Sequence, residues 1–249
     1  MTTSKTRHPV AAPRVAQRAP RTRPPAKEPP ARRRAPRLAS AGIIMEAATT
    51  LFLRNGYLGT SVDDIAALAR VSKQTVYTHF ADKEQLFAEL IRGNMDRADE
   101  FIQAIALSLQ NTTDVERDLR LLARRYISTV INPQALQLRR LVIGEAGRFP
   151  ELARTYQQRV PQQVIAVLAT QLQQLADRGL LRLSDAVLAA THLAWLILGG
   201  PLDEAMFRAD AAQHSTAELK RLADVAVDVF LAAYGPAGPH RSGPRSRKT

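Results

Sequence analysis

Between positions 71 and 83 the chain reads VSKQTVYTHFADK. Lys73, Gln74, Thr75, Tyr77, Thr78, His79 and Lys83 crowd into about three helical turns' worth of chain, and such types are seldom core residues. Their chemistry is directional hydrogen bonding rather than bond making. A lysine ammonium donates to guanine O6 and N7 or to a phosphate, a glutamine amide pairs with adenine N6 and N7, and a threonine methyl packs on the thymine methyl. Lys73, Gln74, Thr75 and Thr78 are the candidates for base edges. Thr60, Ser61, Ser72, Tyr77, His79 and Lys83 suit phosphate oxygens. A solvated helix in an ordinary bundle would show some of the same types.

Bond-making chemistry finds little support. There is no cysteine, which excludes disulfides, thiolate catalysis and cysteine zinc sites. The five histidines stand at 8, 79, 192, 214 and 240, and no HExxH, Ser-His-Asp arrangement, GxGxxG or P-loop is present. No catalytic residue, metal site or cofactor is expected, and an enzyme is the disfavoured class.

Positioning the polar set requires helices, and the sequence supplies them nearly throughout. Between 38 and 234 the only prolines are Pro133, Pro150, Pro161 and Pro201, and no alternating strand pattern stands out. Nine helices are expected, at about 40–54, 62–69, 73–79, 83–108, 115–131, 134–146, 151–177, 185–198 and 216–233. Gly56 and Gly179 read as stops. Ser61 with Asp64 reads as a short-armed capping box, and Ser72 and Ser184 as caps. Pro161 should kink or split the seventh helix, and Gly199–Gly200–Pro201 should end the eighth. The fold class is all-α. The second and third helices meet through Arg70–Ser72, with Ala66 at the close contact and Ile65, Ala69, Val71, Val76 and Phe80 facing inward. That is a helix-turn-helix, and it leaves Lys73, Gln74, Thr75 and Thr78 outward for a DNA major groove. The N-termini of the second and fourth helices add backbone N–H donors for phosphates.

RLASAGIIMEAATTLFLRNGY (37–57), TSVDDIAALARVSKQTVYTHF (60–80) and DKEQLF (82–87) resemble the DNA-binding domain of TetR-family bacterial transcriptional repressors. The resemblance implies a recognition helix in the major groove, phosphate contacts from Tyr77 and Lys83, and a homodimer on a palindromic operator of double-stranded DNA. Arg70 departs from the family, which often has glycine there; a left-handed arginine would carry roughly 1–2 kcal/mol of strain. LRRLVIGEAGRFPELARTY (138–156) is similar to the AefR-like C-terminal domain. The implied roles of that region are a pocket for an unknown small-molecule effector and a dimer surface. Pocket candidates are Phe101, Ile105, Tyr126, Val130, Leu141, Glu145, Phe149 and Trp195, with ordinary core packing the competing role for each aromatic. Glu145 stands in an apolar run and needs a partner; a ligand and an arginine (Arg139, Arg140 or Arg148) remain alternatives. Leu188, His192, Trp195, Val229 and Phe230 are the dimer candidates, His192 as a hydrogen-bonded histidine.

Four segments result: a disordered basic arm (1–37), the DNA-binding domain (38–84), the effector and dimerisation domain (85–234) and a disordered tail (235–249). The net charge of +12 is uneven: residues 1–37 carry +10, 235–249 carry +4, and 38–234 carry −2. A basic arm seeks a polyanion, nucleic acid or an anionic membrane surface, and Arg32, Arg33, Arg34 and Arg37 are placed to enter a minor groove. No apolar run reaches the roughly 18 residues of a bilayer span, no secretory h-region is seen, and eight prolines before position 38 oppose a transit helix. A cytoplasmic protein with no membrane partner is expected. A transcriptional activator and a nucleoid-type architectural protein stand as alternatives to a repressor.

Overall fold

The computed structural model describes residues 31–208 and 214–236, and every regular element among them is helical. The chain divides into two compact units, Met1–Leu38 and Ala39–Thr249. Among the described residues ten α-helices run in order: α1 (Ala31–Asn55), α2 (Val62–Ala69), α3 (Lys73–His79), α4 (Lys83–Ser108), α5 (Val115–Val130), α6 (Pro133–Gly144), α7 (Pro150–Gln157), α8 (Gln163–Asp177), α9 (Ala186–Phe207) and α10 (Thr216–Tyr234). A π-helical turn, Gln158–Gln162, joins α7 to α8 and contains Pro161. Proline cannot donate to the helical ladder, and the wider turn takes up the missing bond. Counted as one broken helix, α7 and α8 give the expected nine.

Local signals set most boundaries. Gly56, at φ +74°, stops α1. The Ser61 hydroxyl accepts the Asp64 N–H at 3.1 Å while the Asp64 carboxylate accepts the Ser61 N–H at 3.2 Å, closing the capping box. Ser72 caps α3 by accepting the Thr75 N–H at 3.0 Å, and Asp82 caps α4 by accepting that of Gln85 at 2.7 Å. Gly179, at φ +73°, ends α8. The cap of α9 is Asp185, not the expected Ser184: its carboxylate accepts the Leu188 N–H at 3.0 Å.

Four expectations need correction. Helix α1 begins at Ala31, where disorder through 37 was expected. Seven of the eight prolines behind that expectation precede Ala31, and alanine and arginine are strong helix formers. Arg32, Arg33, Arg34 and Arg37 thus lie on helical backbone; the rest of the expected arm, and the tail from 237, fall outside the described residues. Second, Gly199–Gly200–Pro201 does not end α9, which runs on to Phe207. Leu202 and Ala205 are buried beyond the proline, and Arg140 from α6 donates to the carbonyls of Ala205, Met206 and Arg208. Burial and a cation on the terminal carbonyls offset the missing bond.

Third, α9 has the length and apolar composition of a bilayer span, contrary to the reading above. It packs against α8, α10 and α5, burying Ala189, Ala190, Leu193, Ala194, Ile197 and Leu198. Fourth, the interior does not divide at 84–85. One core joins Ile44, Phe52, Ile65, Val76 and the Leu86–Met95 stretch of α4 to Leu138, Leu141 and Val142 of α6. The other joins Ile102, Ile105 and Leu109 of α4 to α5, α8, α9 and α10. Helix α4 therefore serves both, and the changeover falls between Met95 and Ile102. Arg124 grips Asp224 with two 2.7 Å bonds and Arg120 reaches Asp228 at 2.5 Å, fastening α5 to α10.

Candidate nucleic-acid interface and ligand cavity

The turn between α2 and α3 is built by two nested backbone bonds. Val71 N–H reaches Ala66 O at 3.0 Å and Arg70 N–H reaches Ala67 O at 3.2 Å, the pattern of a Schellman stop. It forces Arg70 to φ 54°, ψ 40°, the left-handed conformation foreseen for it. Ile65, Ala66, Ala69 and Val76 are buried, and Val71 and Phe80 half-buried. That seating turns the opposite side of α3 to solvent.

On that side the expected groove residues stand as follows. Gln74 is exposed, and its amide has no partner among the described residues. Lys73 is exposed but its Nζ donates to Asp63 Oδ2 of α2 at 2.9 Å, and that carboxylate raises the lysine pKa. Thr75 is half-buried and shares a 2.8 Å hydroxyl contact with Ser72. Thr78 is exposed and donates to Gln74 O at 2.8 Å. Tyr77 is 43% exposed, which leaves its ring edge and hydroxyl accessible. His79 is half-buried beside Phe80, at a ring separation of 6.4 Å. Ser61 and Ser72 are exposed caps.

Two of the expected phosphate residues do other work. Thr60 is only 2% exposed, and its hydroxyl donates to Gly56 O at 2.9 Å. Lys83 donates to Tyr57 O at 3.1 Å and Thr60 O at 3.0 Å, with its Nζ 4.2 Å from the centre of the Tyr57 ring. It fastens the start of α4 to the α1–α2 loop, a carbonyl-and-aromatic seat that only tertiary placement reveals.

Beneath α4 lies a cavity of about 260 Å³. Of the pocket candidates, Phe101, Tyr126, Val130 and Trp195 line it. Ile105 is 1% exposed inside the C-terminal core, and Leu141 and Phe149 belong to the N-terminal one. Glu145 is also outside the cavity: it lies at the end of α6 and pairs with Arg148 at 3.4 Å, the arginine alternative. Sequence reasoning missed Arg97, Arg139, Tyr156 and Val160 as lining residues. Tyr156 and Val160 had one signal, their four-residue spacing, which sets two side chains on the same helix face. Burial pushes the Tyr126 hydroxyl up to about 12 and raises Tyr156 too, with Arg139 pulling both the other way. Both phenols therefore stay protonated at neutral pH. Among the described residues no cluster of three or more His, Asp or Glu side chains could hold a metal.

The α6–α7 corner is tied to the N-terminal core. Phe149, between α6 and α7, meets Tyr57 at a ring separation of 4.9 Å and Phe87 at 5.1 Å. Those rings and Phe52 form the aromatic centre of the N-terminal core. Of the dimer candidates, Leu188, His192, Trp195 and Val229 are exposed, with Leu196 and Val225 beside them. His192 Nδ1 lies 2.7 Å from the Tyr234 hydroxyl, as a hydrogen-bonded histidine should. Phe230 is fully buried and stacks toward Tyr234, so it belongs to the core and not to an outer face.

Residues 44–90 match the family model for bacterial regulatory proteins of the tetR family, and residues 117–236 match that for the C-terminal domain of AefR-like transcriptional repressors. A crystal structure from Mesorhizobium loti assigned to the TetR-family transcriptional regulators is 40% identical, with a TM-score of 0.73 over 80% of this chain and 98% of that one. The flavonoid-responsive regulator FrrA is 28% identical, with a TM-score of 0.62 over 80% of this chain and 99% of that one. IcaR of Staphylococcus aureus, the HTH-type negative transcriptional regulator of a biofilm operon, is 31% identical over 75 residues, 30% of this chain and 38% of that one. The chain spans about a third of the length of the curated relatives it matches, 34% and 38% for the first two.

Proposed function

The chain belongs to the TetR family of transcriptional regulators, and from that premise we propose that it is an effector-responsive, homodimeric repressor that binds a palindromic operator in double-stranded DNA. The observation that carries the reading is the seating of α3: a capped, seven-residue helix held from behind by Ile65, Ala69 and Val76, with Lys73, Gln74 and Tyr77 on its open side. Direct readout falls to Lys73, Gln74, Thr75 and Thr78; Tyr77, Ser61, Ser72 and His79 meet phosphates. The basic run that includes Arg32, Arg33, Arg34 and Arg37 supplies attraction that is independent of sequence. No catalytic role is proposed, and a regulator of this class works in the cytoplasm without a membrane partner.

The exposed apolar residues of α9 and α10 fit a dimer face, in which four helices from two copies form a bundle. The effector enters the cavity, whose walls include α4, the first half of α6 and the end of α7. Its binding shifts those elements, and with them the separation of the two recognition helices, which must match one DNA turn of about 34–36 Å. FrrA responds to a small molecule, which supports this part of the reading. IcaR is a negative regulator, which supports the repressing sign. Selecting bound fragments from a random DNA pool with the full chain, then footprinting the winner, tests the proposal. One protected palindrome with two half-sites is expected. Continuous protection along the fragment would instead mean an architectural coat.

A further inference from the structure

The cavity is chemically one-sided. Its lining holds two arginines, Arg97 from α4 and Arg139 from α6, and neither aspartate nor glutamate. Neither guanidinium has an ion pair or hydrogen bond among the described residues, whereas Arg124 is paired with Asp224 and Arg159 with Asp99 at 2.5 Å. Arg139 is half-buried, so its charge is partly removed from water without compensation. A guanidinium in that position is costly unless something pairs with it.

Neutral donors surround the same space. Tyr126 and Tyr156 line the cavity, and neither hydroxyl has a hydrogen-bond partner among the described residues. Asn132 and Gln134 add amides at the α5–α6 corner. The remaining walls are apolar: Phe101, Val130, Val160 and Leu198, with Trp195 among them. A ligand that satisfies this lining has an acceptor at one end and a hydrocarbon body at the other.

We propose that the effector is an organic anion, a carboxylate on a compact aromatic or aliphatic body, with Arg139 forming its ion pair and the Tyr126 and Tyr156 hydroxyls donating to the same oxygens. The proposal rests on the reading of this cavity as the effector site. A forked guanidinium matches a carboxylate in bidentate geometry, and the phenols, protonated at neutral pH, can only help as donors. Arg97, on the exposed side of α4, meets the anion on its way in.

The chain contains a single tryptophan, and it lines the cavity, so its emission reports occupancy directly. The test uses matched pairs that differ in charge alone: phenylacetate, 4-phenylbutyrate and 6-phenylhexanoate against their primary amides, titrated into the full chain. At least one acid should quench Trp195 on the order of tenfold more tightly than its amide. In Arg139→Gln the acid should fall to the affinity of the amide, while the amide itself binds as before and shows that the site is intact. Equal binding of acid and amide by the wild-type chain overturns the anion, and if both also weaken DNA binding the effector-site reading survives. A preference for the acid that Arg139→Gln leaves intact overturns the role of Arg139. Quenching by no member of any pair overturns both the anion and the effector site.

Discussion

Lys73 Nζ and Asp63 Oδ2 stand 2.9 Å apart, so the cation best placed to reach a base edge is held by a carboxylate from the preceding helix. The pair is exposed, and an exposed pair is weak enough for DNA to break. It nevertheless competes with DNA for the lysine, and Asp63 itself repels the backbone. Asp63→Asn should therefore raise operator affinity by roughly a few-fold without changing the preferred sequence. Fluorescence anisotropy with the selected operator measures it. Unchanged or weaker binding would show that Asp63 holds Lys73 in the bound pose instead of withholding it.

Arg70 sits in the left-handed region at φ 54°, the only such non-glycine among the described residues. A β-carbon there costs about 1–2 kcal/mol, and glycine gives back part of that through its freer unfolded chain. Arg70→Gly should stabilise the protein by up to about 1 kcal/mol in urea unfolding. If Arg70 also touches a phosphate, the same variant should bind DNA more weakly and with a smaller salt slope. A loss of stability would mean that the arginine side chain, not the backbone, dominates at this turn.

Attraction and discrimination should separate by mutation. Removing residues 2–36 should flatten the slope of log K against log salt and weaken all sequences about equally. Gln74→Ala should leave the slope alone and relax preference at one operator position, since a bidentate contact discriminates by about 1–3 kcal/mol. A deletion that leaves the slope unchanged would remove the basic run from the binding model.

The sequence announced whatever local chemistry decides. Ser61 with Asp64, Ser72, Gly56 and Gly179 act within a few residues of themselves, and each does what its type predicts. Pro161 broke its helix for the same reason. One local reading slipped by a residue, since Asp185 and not Ser184 caps α9; the other misses are tertiary. Gly199–Gly200–Pro201 looks like a stop until Arg140 of α6 donates to the carbonyls beyond it, the nearest of them 65 residues on in sequence. Lys83 looks like a phosphate ligand until the carbonyls of Tyr57 and Thr60 come within reach. Thr60 and Phe230 looked available because a pattern along one helix or loop cannot show what covers it. In the cavity, Phe101, Tyr126, Val130 and Trp195 were among the candidates to which the family resemblance pointed, whereas Arg139 was weighed only as a partner for Glu145.

The π-turn Gln158–Gln162 has one further consequence. Such a turn holds an extra residue compared with an α-helical one, so α7 and α8 differ from a continuous helix by a length change and not by composition. Each residue advances an α-helix by about 100°. Because the wide turn absorbs that extra residue, losing one here would let the turn close to α-helical geometry and keep Val164 and Ile165 at the cavity wall, whereas the same loss inside α8 would swing every later side chain by that angle. The turn is thus the place where this regulator can gain or lose a codon while the cavity wall and the surface that meets DNA both keep the residues they had.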